Sequence, residues 1–317
     1  MNRARRGAKG IRYEGLPTER ADPRSRGLDR LSPAQIAKLM NRADRGAVAA
    51  VARAAPPIGR AVALIVRALS GGGRLIFVGA GTSGRLGVLE AAECPPTFGT
   101  SPTLVQAVIA GGRRAVFRSA EGAEDDAAEG ARQVRRRARA GDVVVGVAAS
   151  GVTPFVRAAL EAARRRGAAT VLVTCNPRVP RRAARVLIPL AVGPEVLAGS
   201  TRLKAGTATK LTLNTLTTAT FAGLGKVYGN RMVDLRPRSA KLYARAVRLV
   251  REIGRVSETE AARLLGGARG SAKLAIVMAR LAVGSKEARL RLKDTSGSLR
   301  RVLDDGGTRA SGPGSRA

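Results

Sequence analysis

The sequence predicts an α/β fold in which a parallel β-sheet is flanked by helices and followed by a small helical C-terminal subdomain. Five short apolar runs, mostly β-branched or leucine-rich, are each bounded by glycine, proline or polar residues, which is typical of strands. Helical patterns lie between several of these runs, and strands that are apolar on both faces indicate a parallel sheet covered on both sides. From residue 234 onward the patterns are helical.

The elements follow in order along the chain. Ser32 is the predicted N-cap of a first helix that starts at Pro33, and a second helical stretch over residues 47–69 ends at the glycines 71–73. The predicted strands are residues 75–78, 104–109, 142–147, 170–174 and 186–190. The other helices are predicted over residues 85–92, 155–166, 200–222, 241–253, 257–265, 273–281 and 286–292.

The length of 317 residues suits one large α/β domain or two smaller ones. The predicted divisions are a basic disordered tail at 1–15, an α/β domain with N-terminal helices at 16–230, a helical subdomain at 231–305 and a flexible tail at 306–317.

The composition excludes several kinds of site. The chain has no histidine, which removes Ser-His-Asp triads, Cys-His dyads and imidazole metal ligands. Acid–base chemistry must therefore come from Asp, Glu, Tyr, Lys or Cys, and no metal or cofactor is expected. Cys94 and Cys175 form no CxxC motif. Two cysteines without such a motif favour a reducing cytoplasm. No apolar run approaches 18 residues and no secretory signal is seen, so no membrane segment is expected.

The charge is strongly basic, with 57 Lys and Arg against 23 Asp and Glu, a formal net charge of +34. Arginine is spread over the whole chain and aromatic residues make up only 3%, whereas nucleic-acid binders usually add stacking aromatic side chains. A coding bias toward arginine and a selected polyanion-binding role both stay open. The expectation is that any binding to nucleic acid is non-specific.

Two loops, each of which follows a strand and leads into a helix, contain the same kinds of residue. Residues 79–85 (GAGTSGR) and 148–154 (AASGVTP) combine glycine with hydroxyl side chains. Glycine lets the backbone approach a ligand closely, and the free N–H groups at a helix start attract anions. The candidate phosphate-binding residues are Thr82, Ser83, Gly84, Ser150 and Thr153. The alternative is ordinary strand–helix turns, since neither a Walker A loop nor a full dinucleotide fingerprint is present.

Acidic residues are scarce, so their clustering is informative. Glu90 and Glu93 lie in one cluster, and residues 121–126 (EGAEDD) form another. A pair of carboxylates over a phosphate site suits proton transfers on a phosphorylated sugar. The alternative, favoured for Asp125 and Asp126, is that carboxylates complement the dipole at a helix N-terminus.

Several segments together closely resemble the N-acetylmuramic acid 6-phosphate etherase family. The longest is residues 72–99 (GGRLIFVGAGTSGRLGVLEAAECPPTFG). The others are residues 109–112 (IAGG), 121–126, 148–151, 193–195 (GPE), 199–207 (GSTRLKAGT) and 225–230 (GKVYGN), with Thr18-Glu19 near the start. The chain departs from the family pattern at Val152, Thr209 and Asp22, where Arg, Gln and Asn are usual.

The resemblance implies a sugar isomerase (SIS) fold, which is a three-layer sandwich, a homodimer and a helical C-terminal subdomain. It implies that Glu93 protonates the departing lactate and that Glu124 is the second catalytic carboxylate. Glu195, Ser200 and Lys204 are candidates for contacting the sugar or for completing the site across a dimer interface.

The implied reaction is that of a carbon–oxygen lyase, which cleaves the D-lactyl ether of N-acetylmuramate 6-phosphate with water by elimination and then hydration, in peptidoglycan recycling and amino-sugar catabolism. Two alternatives remain. A non-catalytic SIS-domain sensor of sugar phosphates would need the phosphate loops but not both Glu93 and Glu124. An aldose–ketose isomerase would share the proton chemistry but needs no acid for a leaving group.

Overall fold

A five-stranded parallel sheet organises the first part of the chain. The computed structural model describes residues 15–235, 237 and 239–309. The strands are β1 (Leu75–Gly79), β2 (Val105–Ile109), β3 (Val143–Val147), β4 (Ala169–Thr174) and β5 (Val186–Pro189). Their order in the sheet is β2-β1-β3-β4-β5, and neighbouring strands pair in parallel. The five strands lie where the sequence predicts them, and the parallel α/β sheet is confirmed.

Helices precede, alternate with and follow these strands. In chain order they are α1 (Pro33–Arg53), α2 (Ala55–Ser70), α3 (Gly81–Phe98), α4 (Arg114–Phe117), α5 (Ala127–Arg137), α6 (Pro154–Arg165) and α7 (Lys204–Gly223). The predicted start of α1 is confirmed, because Ser32 and Gln35 form a reciprocal capping box. The predicted start of the second helix at residue 47 is wrong. The chain breaks at Ala54 instead, because the prolines that follow at 56 and 57 fit only the first turn of a helix.

Alternating strand residues pack against helices on opposite faces of the sheet. Ile76 and Val144 belong to a buried cluster that also contains Val134 of α5 and Phe155 of α6. Phe77, which points to the other face, lies against α3. Both faces are therefore covered, which is why the strands are apolar throughout rather than alternating.

The later part of the chain is built mainly from helices. Its elements are the hairpin β6 (Val227–Tyr228) and β7 (Arg231–Met232), followed by α8 (Ala240–Gly254), α9 (Glu258–Gly267), α10 (Ala272–Leu281), α11 (Ser285–Asp294) and α12 (Leu299–Arg309). Buried apolar residues of these helices form a core of their own. Lys273 lies in this core, where its ammonium group donates to the carbonyls of Gly225 and Gly297 and to the carboxylate of Asp234. The helical C-terminal part is confirmed.

Contacts between Cα atoms divide the chain into two compact units. One unit runs through Ala92 and continues over Pro102–Thr218; the other comprises Glu93–Ser101 and the described residues from Ala219 onward. The domain boundaries drawn from the sequence stay a prediction. Helix α12 extends through Arg309, four residues into the segment predicted to be a flexible tail, while residues 1–14 and 310–317 of the predicted tails lie outside the described residues.

None of the described helices is by itself long and apolar enough to cross a bilayer. Helices α1 and α2, which meet at an angle of 57°, meet the criteria of length and composition only when they are taken together.

Candidate active site

A cleft of about 380 Å³ lies beside the residues that directly follow strands β1 and β3. Open α/β sheets bind ligands at this edge, outside the carboxyl ends of their strands. Four predicted site residues line the cleft together: Ser83, Glu124, Ser150 and Thr153. The other lining residues are Glu19, Ala80, Asp125, Val147, Ala148, Ala149, Pro154, Gly199 and Thr201.

The first loop turns sharply from β1 into α3. A Cβ atom at Gly79 would lie 2.6 Å from the amide nitrogen of Gly84, and one at Gly84 would lie 2.8 Å from the carbonyl oxygen of Gly79. Glycine is therefore required at both positions, and Gly84 serves the backbone of the turn. The tight turn brings Ser83 to the cleft, whereas Thr82 and Gly84 are not among the lining residues.

The second loop is fixed from behind by a buried asparagine. The side-chain amide of Asn176 donates to the carbonyl of Ser150 over 2.9 Å, and its own oxygen accepts from the N–H of Arg178. Gly151 has φ +73°, and a Cβ atom there would lie 2.3 Å from Val179. The loop is thus held rigidly with Ser150 facing the cleft. Asn176 was missed in the sequence because its role depends on contacts across the sheet edge.

Helix α6 begins at the cleft without a side-chain cap. Thr153 is its N-cap residue but makes no capping hydrogen bond, and Pro154 occupies the first turn. Unsatisfied N–H groups and the helix dipole together favour an anion at such a helix start. The Thr153 hydroxyl makes no capping bond and lines the cleft, and its contact with a phosphate stays a prediction.

Glu124 lies on the rim of the cleft, in a 3-10 turn that precedes α5. The residue as a whole is exposed, but its carboxyl group is partly shielded from water by the surrounding protein atoms. This partial burial raises the pKa of Glu124, and the charges of Asp125 and Glu121 raise it further. A carboxyl with a raised pKa exchanges protons closer to neutral pH, as acid–base catalysis requires. Asp126 caps α5 through the N–H of Glu129, so its predicted helix role is confirmed.

A third carboxylate, Glu19, reaches the cleft from the N-terminal segment. The segment is attached by a hydrogen bond of 3.1 Å from the N–H of Gly199 to the carbonyl of Thr18. The Thr18 hydroxyl also donates to the Glu19 carboxylate over 3.2 Å. In the sequence, Thr18-Glu19 stands out only through the family resemblance, because nothing in the local pattern shows that this segment returns to the sheet edge.

Glu195 and Lys204 are buried and have structural partners. The two carboxylate oxygens of Glu195 accept from the N–H groups of Lys204 and Ala205, at 3.0 and 2.9 Å, and so cap the start of α7. Burial raises the pKa of Glu195, against the lowering effect of these hydrogen bonds. The ammonium group of Lys204 donates to the carbonyl of Pro194 and lies 4.0 Å from the carboxylate of Asp22.

Neither Glu195 nor Lys204 lines the cleft, and Ser200 does not line it either, although its neighbours Gly199 and Thr201 do. In the structure, Glu195 and Lys204 therefore support the loop at residues 199–203. Contact of these three residues with the sugar stays a prediction.

Glu90 and Glu93, three residues apart on α3, have different surroundings. Glu90 is 6% exposed; it accepts from Lys210 over 3.1 Å and from the Thr217 hydroxyl over 2.5 Å. Glu93 is exposed and does not line the cleft. Glu90 therefore ties α3 to α7, which leaves Glu93 as the solvent-accessible carboxylate of the motif. Its catalytic role stays a prediction.

The cysteines offer no nucleophile in the described structure. Cys94 and Cys175 are both buried thiols. Burial raises the pKa of Cys175 to about 12, which keeps it in the unreactive protonated form. Within the described residues, no group of three or more Cys, Asp or Glu side chains is placed to hold a metal ion.

Comparison with known proteins gives one family over nearly the whole chain. The chain is 47% identical over 292 residues to the N-acetylmuramic acid 6-phosphate etherase of Synechocystis sp. (strain ATCC 27184 / PCC 6803 / Kazusa), covering 91% of this chain and 95% of that protein. It is 47% identical over 293 residues to the protein of the same name from Geobacillus thermodenitrificans (strain NG80-2), covering 92% and 99% of the two chains.

The sheet region is also similar to a known domain family. Residues 57–164 match the model of the glucokinase regulatory protein N-terminal SIS domain. Among solved structures, the phosphoheptose isomerase from Neisseria gonorrhoeae is 19% identical with a TM-score of 0.44, covering 59% of this chain and 98% of that one. The family model and the observed sheet confirm the expected SIS-type fold. The matched range contains Ser83, Glu93, Glu124, Ser150 and Thr153.

Proposed function

The chain belongs to the N-acetylmuramic acid 6-phosphate etherase family, and we propose that it is a carbon–oxygen lyase of the hydro-lyase type. Its substrate is N-acetylmuramate 6-phosphate, and its products are N-acetylglucosamine 6-phosphate and D-lactate. The observation that carries this proposal is the cleft, where Ser83, Ser150 and Thr153 meet the carboxylate of Glu124. The reaction belongs to peptidoglycan recycling and amino-sugar catabolism. The non-catalytic alternative is not favoured, because the relatives that match nearly the whole chain are etherases.

The phosphate group is held by hydroxyl groups and helix N-termini. Ser83 lies in the first turn of α3, and Thr153 lies at the uncapped start of α6. Both helices direct backbone N–H groups and the positive ends of their dipoles at an anion bound between them. Ser150 supplies a further hydroxyl from the loop that Asn176 holds in place. Thr82 is a further candidate beside Ser83.

The chemistry follows from the open-chain form of the sugar. Its C2–H bond lies next to the C1 aldehyde and is therefore acidic. When a base takes the C2 proton, the electron pair forms the C2–C3 double bond and expels the lactyl oxygen from C3, which leaves with a proton from an acid. Water then adds to the unsaturated aldehyde: its hydroxyl goes to C3 and a proton returns to C2. The sum is cleavage of the ether by one water molecule.

Carboxyl groups serve as acid and base in this scheme. Glu93 protonates the departing lactyl oxygen, and Glu124 is the second carboxylate, which removes the C2 proton. The raised pKa of Glu124 supports this role, because a carboxylate of higher pKa is a stronger base than an ordinary one. Once Glu124 holds the proton from C2, it can return it when water adds.

The active form is a homodimer. This is supported by α1, a helix of 21 residues of which only Ala47 and Ala50 are buried in the single chain, while Val48 is 57% exposed. A second copy covering this helix would bury Val48, so Val48→Asp is expected to convert dimer to monomer. Light scattering coupled to size-exclusion chromatography measures the mass, and a wild-type protein that is already monomeric would refute the dimer.

The proposed location of the protein is the cytoplasm. Its buried cysteine thiols support such a reducing compartment.

The direct test is incubation of the protein with N-acetylmuramate 6-phosphate and detection of D-lactate. N-acetylmuramate without the phosphate is the matched control, and it should be turned over poorly because the hydroxyl loops have no anion to hold. No lactate from the phosphorylated substrate would refute the etherase proposal. Equal turnover of the two sugars would refute the phosphate site while leaving the etherase reaction intact.

A further inference from the structure

A second and larger concavity, of about 1240 Å³, lies in the same unit as the cleft. It is a groove bounded by α2, α6 and the segment between β4 and β5. Six exposed arginines line it, and one of them, Arg164, pairs with Glu161. The guanidinium groups of the other five have no hydrogen-bond or ion-pair partner among the described residues; these are Arg67, Arg157, Arg178, Arg182 and Arg185. We call this feature the arginine groove.

The two carboxylates of the arginine groove are already occupied by other cations. Asp142 accepts from the side chain of Arg74 at 2.7 Å and from the N–H of Arg139 at 2.9 Å, and its own side chain is fully buried. Glu161 accepts from Arg164 at 2.7 Å and from Arg165 at 3.1 Å. The five arginines are therefore not neutralised by any carboxylate in the described part of the chain. Like charges gathered in one concavity repel each other unless an anion lies between them.

The lining indicates which kind of anion fits. Guanidinium groups bind phosphate oxygens through paired N–H donors, and several of them match an anion with several phosphate groups. No aromatic side chain lines the groove, so it lacks the stacking surfaces with which proteins hold single-stranded nucleic acid. Its volume is slightly above the roughly 300–1,000 Å³ typical of small-molecule sites. We propose that the arginine groove binds an oligophosphate, either free or as the phosphate chain of a nucleotide.

The arginine groove is separate from the cleft, although the same loop borders both. Gly151 and Val152 line the groove, whereas Ser150 and Thr153 line the cleft. An oligophosphate in the groove therefore contacts the back of the loop that holds the sugar phosphate. This separation lets the two sites be tested by different variants.

The test measures binding of inorganic tripolyphosphate to the full chain by calorimetry at about 0.15 M salt, where exposed charges more than roughly 8 Å apart are largely screened. The groove variant is Arg178→Gln/Arg182→Gln. Its matched control is Arg135→Gln/Arg136→Gln, which removes two exposed arginines from the last turn of α5, outside the groove. Both variants lose the same charge, and thermal unfolding verifies that both are folded.

The groove variant is expected to bind tripolyphosphate at least about ten-fold more weakly, a change of about 1.4 kcal/mol, while the control stays within about two-fold of the wild type. Inorganic phosphate is expected to bind more weakly than tripolyphosphate. ATP distinguishes the two sources: tighter binding than tripolyphosphate indicates a nucleotide, and equal binding indicates a free oligophosphate.

Two results would overturn the proposal. Equal weakening in the groove variant and in the control would mean that net charge alone attracts the anion. Loss of tripolyphosphate binding in Ser83→Ala/Ser150→Ala would place the anion in the cleft instead. Lactate release is a separate measurement, so failure of the groove would leave the proposed etherase activity untouched.

Discussion

Glutamates that look alike in the sequence have different roles because their neighbours differ. Glu195 is fully buried and caps α7, Glu90 is held by Lys210 and Thr217, and Glu124 stands at the cleft with its pKa raised. The sequence predicted a carboxylate beside hydroxyl loops, because those residues lie in local strand–turn–helix patterns. It did not predict that Glu195 supports a helix, since that depends on a contact formed only when α7 is in place.

The first prediction concerns Glu124. Glu124→Gln removes a group that moves protons but keeps the size of the side chain, so kcat for lactate release should fall by about 10²–10⁴-fold. The folded pKa lies above the ordinary value, so the carboxylate form needed for a base is lost as pH falls through that raised pKa. The wild-type profile of kcat/KM should therefore decline on its acidic side, and this decline should be absent from the residual activity of the variant.

The contrary profile would reassign the role of Glu124. If the limb that disappears in Glu124→Gln is the alkaline one, Glu124 acts as the acid, and Glu93 must be the base. Full activity in the variant would remove Glu124 from the mechanism. Thermal unfolding serves as the control and should change little, because the residue is exposed.

The second prediction concerns Glu19, which the local sequence pattern did not single out. Its carboxylate lines the cleft, and a hydrogen bond to a charged group contributes about 1.5–3 kcal/mol, so Glu19→Gln should lower kcat/KM by about ten-fold or more. The matched control is Glu258→Gln, which removes an exposed carboxylate outside the cleft. Equal effects of the two substitutions on lactate kinetics would mean that only the net charge of the protein matters.

At the scale of elements, periodicity was sufficient to predict that a long or fully buried element exists, but it did not locate the break between the long helices α1 and α2. The five strands were predicted because each is an apolar run between breakers. The hairpin β6–β7 was missed because its strands have only two residues each, too few for any pattern to show. Helix α7 begins at Lys204 rather than at residue 200, since Glu195 caps the chain there from a distance in the sequence.

The third prediction concerns the loop between β3 and α6. Gly151→Ala should destabilise the fold by about 1–2 kcal/mol for the left-handed backbone, with a further cost of about 1–3 kcal/mol from the collision with Val179. Because Ser150 is adjacent, KM for the phosphosugar should rise as well. The matched control is Gly27→Ala, where φ is +78° but nothing lies within 4 Å of the added Cβ. Denaturant unfolding and lactate kinetics measure both effects, and equal losses of stability would exclude the collision.

At the scale of the whole molecule, the excess of positive charge is not uniformly neutralised. Many arginines form ion pairs with a glutamate three or four residues away on the same helix, such as Arg132 with Glu129 and Arg263 with Glu260. Such exposed pairs contribute little to stability. With 57 cations and 23 acidic residues, most cations have no such partner available. The charge therefore acts mainly as a long-range potential, which attracts anions of any kind.

The last prediction concerns this potential. DNA should bind weakly and without regard to sequence, and log affinity should fall linearly with log salt, with a slope of about −0.9 for each phosphate contact, since binding rests on counterion release. Deleting residues 1–14 and 310–317 removes Arg3, Arg5, Arg6, Lys9, Arg12 and Arg316 and should flatten that slope. Lactate release should persist, because no cleft residue lies in the deleted segments. A salt titration of full-length and trimmed protein measures both slopes. Tight, sequence-selective binding at physiological salt would instead favour a regulatory protein over an enzyme, because a potential that merely attracts phosphate cannot distinguish one base sequence from another.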